Sequence, residues 1–101
     1  MPNAIYYVSY KLKKGKSVPD FLLAAEKLNN EFISKQKGYI SWKQLVAGDT
    51  WADMCTFETM EDLEHFLEVS RNPNETANAF YSFLNLMSCK QHLFSVERTF
   101  E

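Results

Sequence analysis

The chain has 101 residues, of which 46% are hydrophobic and 15% aromatic, and its formal net charge is -2. This composition is typical of a compact globular protein, here one domain over residues 1–101, and it argues against a disordered chain. The weak negative charge gives no general attraction to nucleic acid or to an anionic membrane. Since no apolar run is long enough to span a bilayer and no signal segment is seen, we expect a cytoplasmic protein without membrane or nucleic-acid partners.

The first predicted element is a β-strand over residues 4–12, in which successive side chains point to opposite faces. One face of this strand carries Tyr6, Val8, Tyr10 and Leu12, and the other carries Ile5, Tyr7, Ser9 and Lys11. Both faces therefore begin with apolar residues. An apolar pattern on both faces predicts that both sides of the strand are covered in the folded protein.

A helix is predicted next, with Ser17 as its N-cap and Asp20 three residues later, a spacing that resembles a capping box. Its apolar stripe recurs at steps of four, three and four, at Phe21, Ala25, Leu28 and Phe32. We predict that this helix ends at Gly38, because glycine readily adopts the left-handed conformation of a helix C-terminus.

Residues 36–58 predict a β-hairpin that carries both tryptophans. Its strands are Tyr39–Val46 and Trp51–Glu58, and Gly48 lies in the reversal between them. A loop of two or of four residues gives the same register. The predicted pairs are Val46 with Trp51, Gln44 with Asp53, Trp42 with Cys55 and Ile40 with Phe57. Because paired residues share a face of the sheet, Gln44 and Asp53 form a polar pair within an apolar face.

Two further helices and a strand complete the pattern. Thr59 and Asn74 are the predicted N-caps, and Pro73 separates the helices. The second helix buries Met60, Leu63, Phe66 and Leu67, and the third buries Ala77, Phe80, Leu84 and Met87. Alternation from Gln91 to Phe100 predicts the last strand, in which His92 shares a face with Phe94.

The order β-α-β-β-α-(α)-β predicts an α+β, ferredoxin-like fold with a four-stranded antiparallel sheet. Its helices are able to cover only one face of that sheet, although the strands are apolar on both. Large exposed apolar faces are unusual in monomers. We therefore expect a homodimer in which two sheets pack face to face, that is, a dimeric α+β barrel.

Asp53 is the sharpest catalytic candidate. Beside Trp51 and Cys55 its carboxylate is expected to be partly desolvated, which raises its pKa toward that of a useful general base, with Gln44 as an orienting partner. The competing interpretation is structural: a hydrogen-bonded Gln44–Asp53 pair, or an ion pair at the dimer interface with Arg98 or a lysine.

Other candidates are weaker. His92 is expected at the mouth of a pocket and is the second catalytic candidate, whereas His65 lies among glutamates on a solvated helix face. An aromatic and polar group is predicted to line a pocket for a flat ligand, although core packing explains the same spacing. This group comprises Tyr6, Tyr10, Trp42, Gln44, Trp51, Phe80 and Tyr81.

The two cysteines and a group of lysines are further candidates, and each also has a purely structural explanation. Cys55 and Cys89 are expected to be free thiols, and no residues stand at metal-ligand spacing, so we predict no metal site. Lys11, Lys13, Lys14 and Lys16 lie next to the start of a helix and are suited to binding an anion. The alternative is that they form a solvated loop.

Three segments resemble a known family: Lys37-Gly38-Tyr39-Ile40-Ser41, Gly48-Asp49-Thr50-Trp51-Ala52-Asp53 and Phe57-Glu58-Thr59-Met60-Glu61-Asp62. The chain is similar over nearly its whole length to the dimeric α+β barrel proteins related to antibiotic-biosynthesis monooxygenases. The resemblance implies a homodimer with a pocket in each subunit between sheet and helices. Characterised members oxidise aromatic polyketides without metal or flavin, which implies no cofactor here. Other members degrade haem or catalyse isomerisation and decarboxylation.

The haem-degrading members resemble one another in an asparagine on the first strand and in a tryptophan and a histidine from the helices after the hairpin. Here the first strand has no asparagine, and the helices offer Phe66 and Phe80 instead of a tryptophan. Our leading hypothesis is therefore a cofactor-independent monooxygenase-like enzyme acting on a small aromatic or polyketide-like substrate. It requires a pocket reached by a carboxylate or histidine. The alternatives are a non-catalytic dimeric barrel that binds a small apolar ligand, and a structural module without a pocket.

Overall fold

The computed structural model of the chain describes residues 2–101. Within that range the predicted α+β, ferredoxin-like fold is confirmed, with one four-stranded antiparallel sheet in the order β2-β3-β1-β4. The elements are β1 (Ala4–Leu12), α1 (Val18–Glu31), a 3₁₀ turn (Ile33–Lys35), β2 (Tyr39–Ala47), β3 (Thr50–Phe57), α2 (Met60–Val69), α3 (Glu75–Tyr81) and β4 (Leu84–Ser95). None of the helices in residues 2–101 is long and apolar enough to cross a bilayer.

The three predicted N-caps are confirmed, because each side chain accepts a hydrogen bond from the backbone three residues later. Ser17 Oγ accepts from the Asp20 N–H at 3.3 Å, and Thr59 Oγ1 accepts from the Asp62 N–H at 3.1 Å. Asn74 Oδ1 accepts from the Ala77 N–H at 2.8 Å. Each helix therefore begins where its local sequence predicts.

The predicted end of α1 at Gly38 is wrong, because the α-helix ends at Glu31 and a 3₁₀ turn follows. Gly38 instead leads into β2 with φ +80°, a conformation that favours glycine. A Cβ there would overlap the Asp62 side chain, and the Gly38 carbonyl accepts a hydrogen bond from the Glu58 N–H at 2.8 Å. Gly38 thus allows β2 to approach the start of α2.

The hairpin register is confirmed for Val46 with Trp51, Gln44 with Asp53 and Trp42 with Cys55. The predicted pairing of Ile40 with Phe57 is wrong, since Tyr39 pairs with Phe57 and the register shifts between Tyr39 and Ser41. The irregularity follows from Tyr39, whose ring packs on Phe57 and whose hydroxyl donates to Asn29 Oδ1 at 3.0 Å. Ile40 is displaced toward solvent.

The predicted boundary before β4 is also wrong. Helix α3 ends at Tyr81, so Leu84 and Met87 belong to β4 rather than to a helical stripe. Leu84 is buried opposite Leu12, whereas Met87 is 97% exposed. Residues from Leu84 onward form a strand because they pair with β1, although their apolar spacing is that of a helix.

Strand β4 has an irregular middle, and it ends earlier than predicted. Its register against β1 shifts between Ser9 and Lys11, where the Lys11 N–H donates to Ser88 Oγ at 2.9 Å. The strand ends at Ser95 instead of Phe100, because Ser95 pairs with Ala4, the first residue of β1. Beyond that point one more backbone hydrogen bond follows, from the Val96 N–H to the Asn3 carbonyl at 2.9 Å, and Asn3 lies just before β1.

The helices all pack on one face of the sheet, which we call the inner face. This face carries Ala4, Tyr6, Val8, Tyr10, Trp42, Trp51, Asp53, Cys55 and Phe57, and it meets the buried residues of α1, α2 and α3. The opposite, outer face carries Ile5, Tyr7, Leu45, Met54, His92 and Phe94. Leu45 and Phe94 remain 42% and 49% exposed there.

Candidate functional site

A cavity of about 260 Å³ lies between the inner face of the sheet and the helices. The helices and the 3₁₀ turn contribute Leu28, Ile33, Phe66, Phe80 and Tyr81 to its wall. Strands β1, β2 and β3 contribute Tyr6, Val8, Trp42, Asp53 and Cys55, and β4 contributes Leu84, Leu86, Cys89 and Gln91. The wall is mostly apolar with a few polar groups, the usual composition of a small-molecule site.

Asp53 lines this cavity, although the residue as a whole is only 4% exposed. Its Oδ1 accepts a hydrogen bond of 2.8 Å from the Tyr10 hydroxyl. Burial raises the pKa of the Asp53 carboxyl to about 6, and the nearby donors of Tyr10 and Trp42 oppose that rise. Asp53 is therefore mostly ionised at neutral pH and still basic enough to accept a proton, as we predicted from its desolvation.

Tyr10, rather than Gln44, orients the carboxylate. Tyr10 lies on β1 beside Val8, the direct partner of Asp53, so its long ring reaches Asp53 along the diagonal. Burial, followed by the negative charge of Asp53, raises the Tyr10 pKa, which keeps its hydroxyl protonated as a donor. Gln44 Nε2 is buried without a hydrogen-bond partner among residues 2–101. The predicted Gln44–Asp53 hydrogen bond is thus absent from that range, although the two residues are paired in register.

Within residues 2–101 Asp53 makes no salt bridge, so the ion pair with Arg98 or a lysine that we predicted at a dimer interface does not form inside one chain. Its carboxylate points to the inner face and away from the side that a second sheet would meet. Trp42 also has a buried indole N–H that makes no well-formed hydrogen bond in the same range. The side chain nevertheless lies close enough to Asp53 to lower its pKa.

The other ionisable groups of the cavity wall are neutral at physiological pH. Burial raises the pKa of Tyr6, Tyr81, Cys55 and Cys89 in each case, and the negative charge of Asp53 adds to the rise. The Tyr6 hydroxyl donates to Gln91 Oε1 at 3.1 Å. Asp53 is consequently the one charged group among the residues that line this cavity.

The structure brings together five of the nine predicted site residues at this cavity: Tyr6, Trp42, Asp53, Phe80 and Tyr81. Tyr10 does not line the cavity, but it is buried next to it and its hydroxyl bonds to Asp53. Gln44 lines a neighbouring cleft between α1 and β2, next to Glu26 and Asn29. Trp51 lines a third cleft at the end of the sheet.

His92 lies on the outer face, where it pairs with Tyr7 and its ring stacks on Phe94 at a centroid distance of 5.7 Å. The sheet therefore separates His92 from Asp53, so these two candidates do not act on one ligand within this chain. His65 is exposed on α2, as expected.

Sequence reasoning missed the contribution of β4, namely Leu84, Leu86, Cys89 and Gln91. The predicted strand began only at Gln91, which left the residues before it in a helix. Their inward direction depends on the register shift against β1, for which the local sequence gives no signal. No cluster of three or more histidine, cysteine or acidic side chains within residues 2–101 is placed to hold a metal ion.

Comparison of the sequence with protein-family models and with curated proteins gives no match. Comparison of the structure with solved structures finds clear matches. SnoaB of Streptomyces nogalater, a cofactor-independent oxygenase, matches with a TM-score of 0.74 at 12% sequence identity, over 98% of this chain and 97% of that one. A monooxygenase from ActVA-Orf6 of Streptomyces coelicolor, in complex with nanaomycin D, matches with a TM-score of 0.69 at 13% identity, over 99% and 92%.

A protein of unknown function from Nitrosomonas europaea matches with a TM-score of 0.67 at 18% identity, over 100% of this chain and 95% of that one. All three likenesses extend over nearly the whole of both chains. They confirm the α+β, ferredoxin-like fold that the sequence predicts. At these identities it is the fold that is shown, and function must be argued from the site.

Proposed function

We propose that the chain is a cofactor-independent monooxygenase-like enzyme that acts on a small aromatic or polyketide-like substrate, with Asp53 as its general base. The observation that carries this proposal is a single buried carboxylate, with a pKa of about 6, on the wall of an otherwise uncharged cavity. A base with that pKa is suited to proton transfer near neutral pH. The shared fold with SnoaB and the ActVA-Orf6 monooxygenase supports the reaction class.

The cavity suits a flat ring system. Trp42 and Phe80 meet edge to face at a centroid distance of 5.6 Å, and both line the wall with Tyr6 and Tyr81. Aromatic side chains in such arrangements offer faces and edges to a planar ligand. The neutral hydroxyl of Tyr81 supplies a donor for its oxygen atoms, whereas the Tyr6 hydroxyl, which donates to Gln91, offers its oxygen as an acceptor.

In the proposed reaction Asp53 removes a proton from an activated CH₂ group of the substrate. The resulting carbanion adds to dioxygen and forms a C–O bond, and the protonated Asp53 returns its proton to the terminal oxygen of the peroxide anion. Loss of the second C–H proton with cleavage of the O–O bond then gives a carbonyl and water. The carbon supplies the electrons that reduce dioxygen, so one oxygen atom enters the product and the other leaves as water.

Asp53→Asn is expected to lower turnover about a hundredfold or more, because an amide cannot accept the substrate proton. The measurement is dioxygen consumption with a panel of anthrone-like compounds, which carry an activated CH₂ group, followed by mass spectrometry of the product. His92→Gln is the matched comparison and is expected to keep the wild-type rate, since the sheet separates His92 from the cavity. Wild-type turnover in Asp53→Asn would exclude Asp53 as the base.

The mostly apolar lining also favours a second candidate function, the binding of a small apolar ligand without turnover. The two candidates differ in one respect. A pure binding protein holds the same aromatic compounds in the wild type and in Asp53→Asn, and it consumes no dioxygen in either form.

We also propose that two copies associate through their outer faces, because apolar residues of that face remain exposed in a single chain. Sedimentation is expected to give twice the chain mass of 11.8 kDa. Met54→Glu, in the middle of the outer face, is expected to yield monomers, whereas Leu23→Glu on α1 leaves the dimer intact. A wild-type protein that sediments as a monomer at micromolar concentration would contradict this assembly.

A further inference from the structure

A second concave region lies at one end of the sheet, where the β1–α1 loop, the β2–β3 turn and the start of β4 meet. This basic cleft has a volume of about 650 Å³. The residues that matter for its chemistry are Lys11, Lys13, Lys14, Lys16, Asp49 and Trp51. It shares no lining residue with the cavity of Asp53, so it is a separate site.

The basic cleft is positively charged, although the chain as a whole is negatively charged. The chain has a formal net charge of -2, yet four lysines and only one carboxylate line this region. Lys11 Nζ forms a salt bridge of 3.4 Å with Asp49 Oδ2. The Lys16 ammonium lies 5.3 Å from the centroid of the Phe83 ring. Lys13 and Lys14 form no salt bridge within residues 2–101. Three of the four lysines thus lack a carboxylate partner within residues 2–101, and their combined positive charge favours the binding of an anion.

The positive charge comes from these side chains and not from the start of α1. The Ser17 side chain already caps that helix by accepting from the Asp20 N–H, and Asp20 adds a negative charge to the first turn. The lysines are therefore the groups that an anion would meet.

Trp51 gives the basic cleft an aromatic wall. Its indole is half-buried and meets the fully buried Phe21 ring edge to face, at a centroid distance of 5.2 Å. Trp51 therefore packs on the core on one side and lines the cleft on the other. An aromatic group beside several ammonium groups fits a ligand that has both a ring and several negative charges.

We propose that the basic cleft binds an aromatic organic polyphosphate of nucleoside triphosphate size. The phosphates lie among the lysine ammonium groups, and the ring system packs against Trp51. The volume is within the range of small-molecule sites, and the acidic chain as a whole does not favour a nucleic acid. This site is independent of the function proposed for Asp53.

The test is isothermal titration of the full chain, at low ionic strength, with ATP, tripolyphosphate and adenosine in turn. ATP is expected to bind more tightly than tripolyphosphate, and adenosine is expected to give no measurable binding. Affinity for ATP should fall as salt is added, because salt screens exposed charges. Equal affinities for ATP and tripolyphosphate would show that the ring system does not contact Trp51 and would overturn the proposal.

A pair of charge-matched variants separates a built site from general attraction. Lys13→Glu with Lys14→Glu is expected to weaken ATP binding about tenfold or more, since it reverses two charges in the cleft. Lys35→Glu with Lys37→Glu changes the net charge equally, away from the cleft, and should alter the affinity less than about twofold. Circular dichroism verifies that both variants are folded. Equal weakening in the two variants, or no binding of ATP to the wild type, would overturn the proposal.

Discussion

Replacing Phe21 by alanine is expected to lower the free energy of unfolding by about 3–5 kcal/mol. Phe21 is fully buried, and its ring contacts four others, with centroid distances of 6.2 Å to Tyr10, 5.2 Å to Trp51, 5.4 Å to Phe80 and 5.9 Å to Phe83. Alanine would leave a cavity and remove all four contacts. A domain of this size has a total stability of about 5–15 kcal/mol, so the loss is a large part of the whole.

Urea denaturation followed by circular dichroism, at one fixed protein concentration, measures this effect. Leu23→Ala on the same helix is the control, because Leu23 is 64% exposed and its truncation is expected to cost less than about 0.5 kcal/mol. Phe21→Leu should fall between the two. Similar midpoints for Phe21→Ala and Leu23→Ala would show that this aromatic cluster does not anchor α1 to the sheet.

The elements that sequence reasoning located correctly are those fixed by local chemistry. The bounds of β1 follow from its alternation, and the helix starts follow from Ser17, Thr59 and Asn74, whose side chains act within three residues. The central register of the hairpin was also predictable, since a short turn leaves few ways to pair the strands.

The errors lie where distant parts of the chain decide the structure. Leu84 keeps the helical spacing of α3, yet pairing with Leu12 places it in β4. Ile40 follows the alternation of β2, yet the contacts of Tyr39 displace it from the register. The spacing of apolar residues within one element does not say which residues of another element will pack against it.

The candidate site shows the same division. The burial of Asp53 and the raised pKa of its carboxyl were predictable from its apolar neighbours on β3. Its partner was not, because the contact with Tyr10 depends on the β1–β3 register. The position of His92 likewise depends on which face of β4 meets the helices. Local spacing identified the buried carboxylate, and long-range pairing determined the groups around it.

Asp53 is also expected to make stability fall as the pH rises from about 4 to 6. Burial raises the pKa of its carboxyl from an ordinary value of 3.8 to about 6 in the folded protein. Between those values the unfolded chain has released the proton while the folded chain still holds it, so raising the pH favours unfolding. Stability from this group is complete below the unfolded pKa and is lost as the pH passes through the folded pKa. The full difference is about 3 kcal/mol.

Asp53→Asn isolates this contribution, because asparagine resembles the protonated acid in shape and carries no charge at any pH. The difference in unfolding free energy between Asp53→Asn and the wild type should be smallest near pH 4 and grow through pH 6. Above pH 7 the variant should be more stable by about 3 kcal/mol. Urea midpoints measured across this range, at fixed protein concentration, give that difference directly, and the other carboxylates cancel because both proteins share them. A constant difference would mean that the Asp53 pKa is not raised in the fold, and a base poised near neutral pH would then be missing from the cavity.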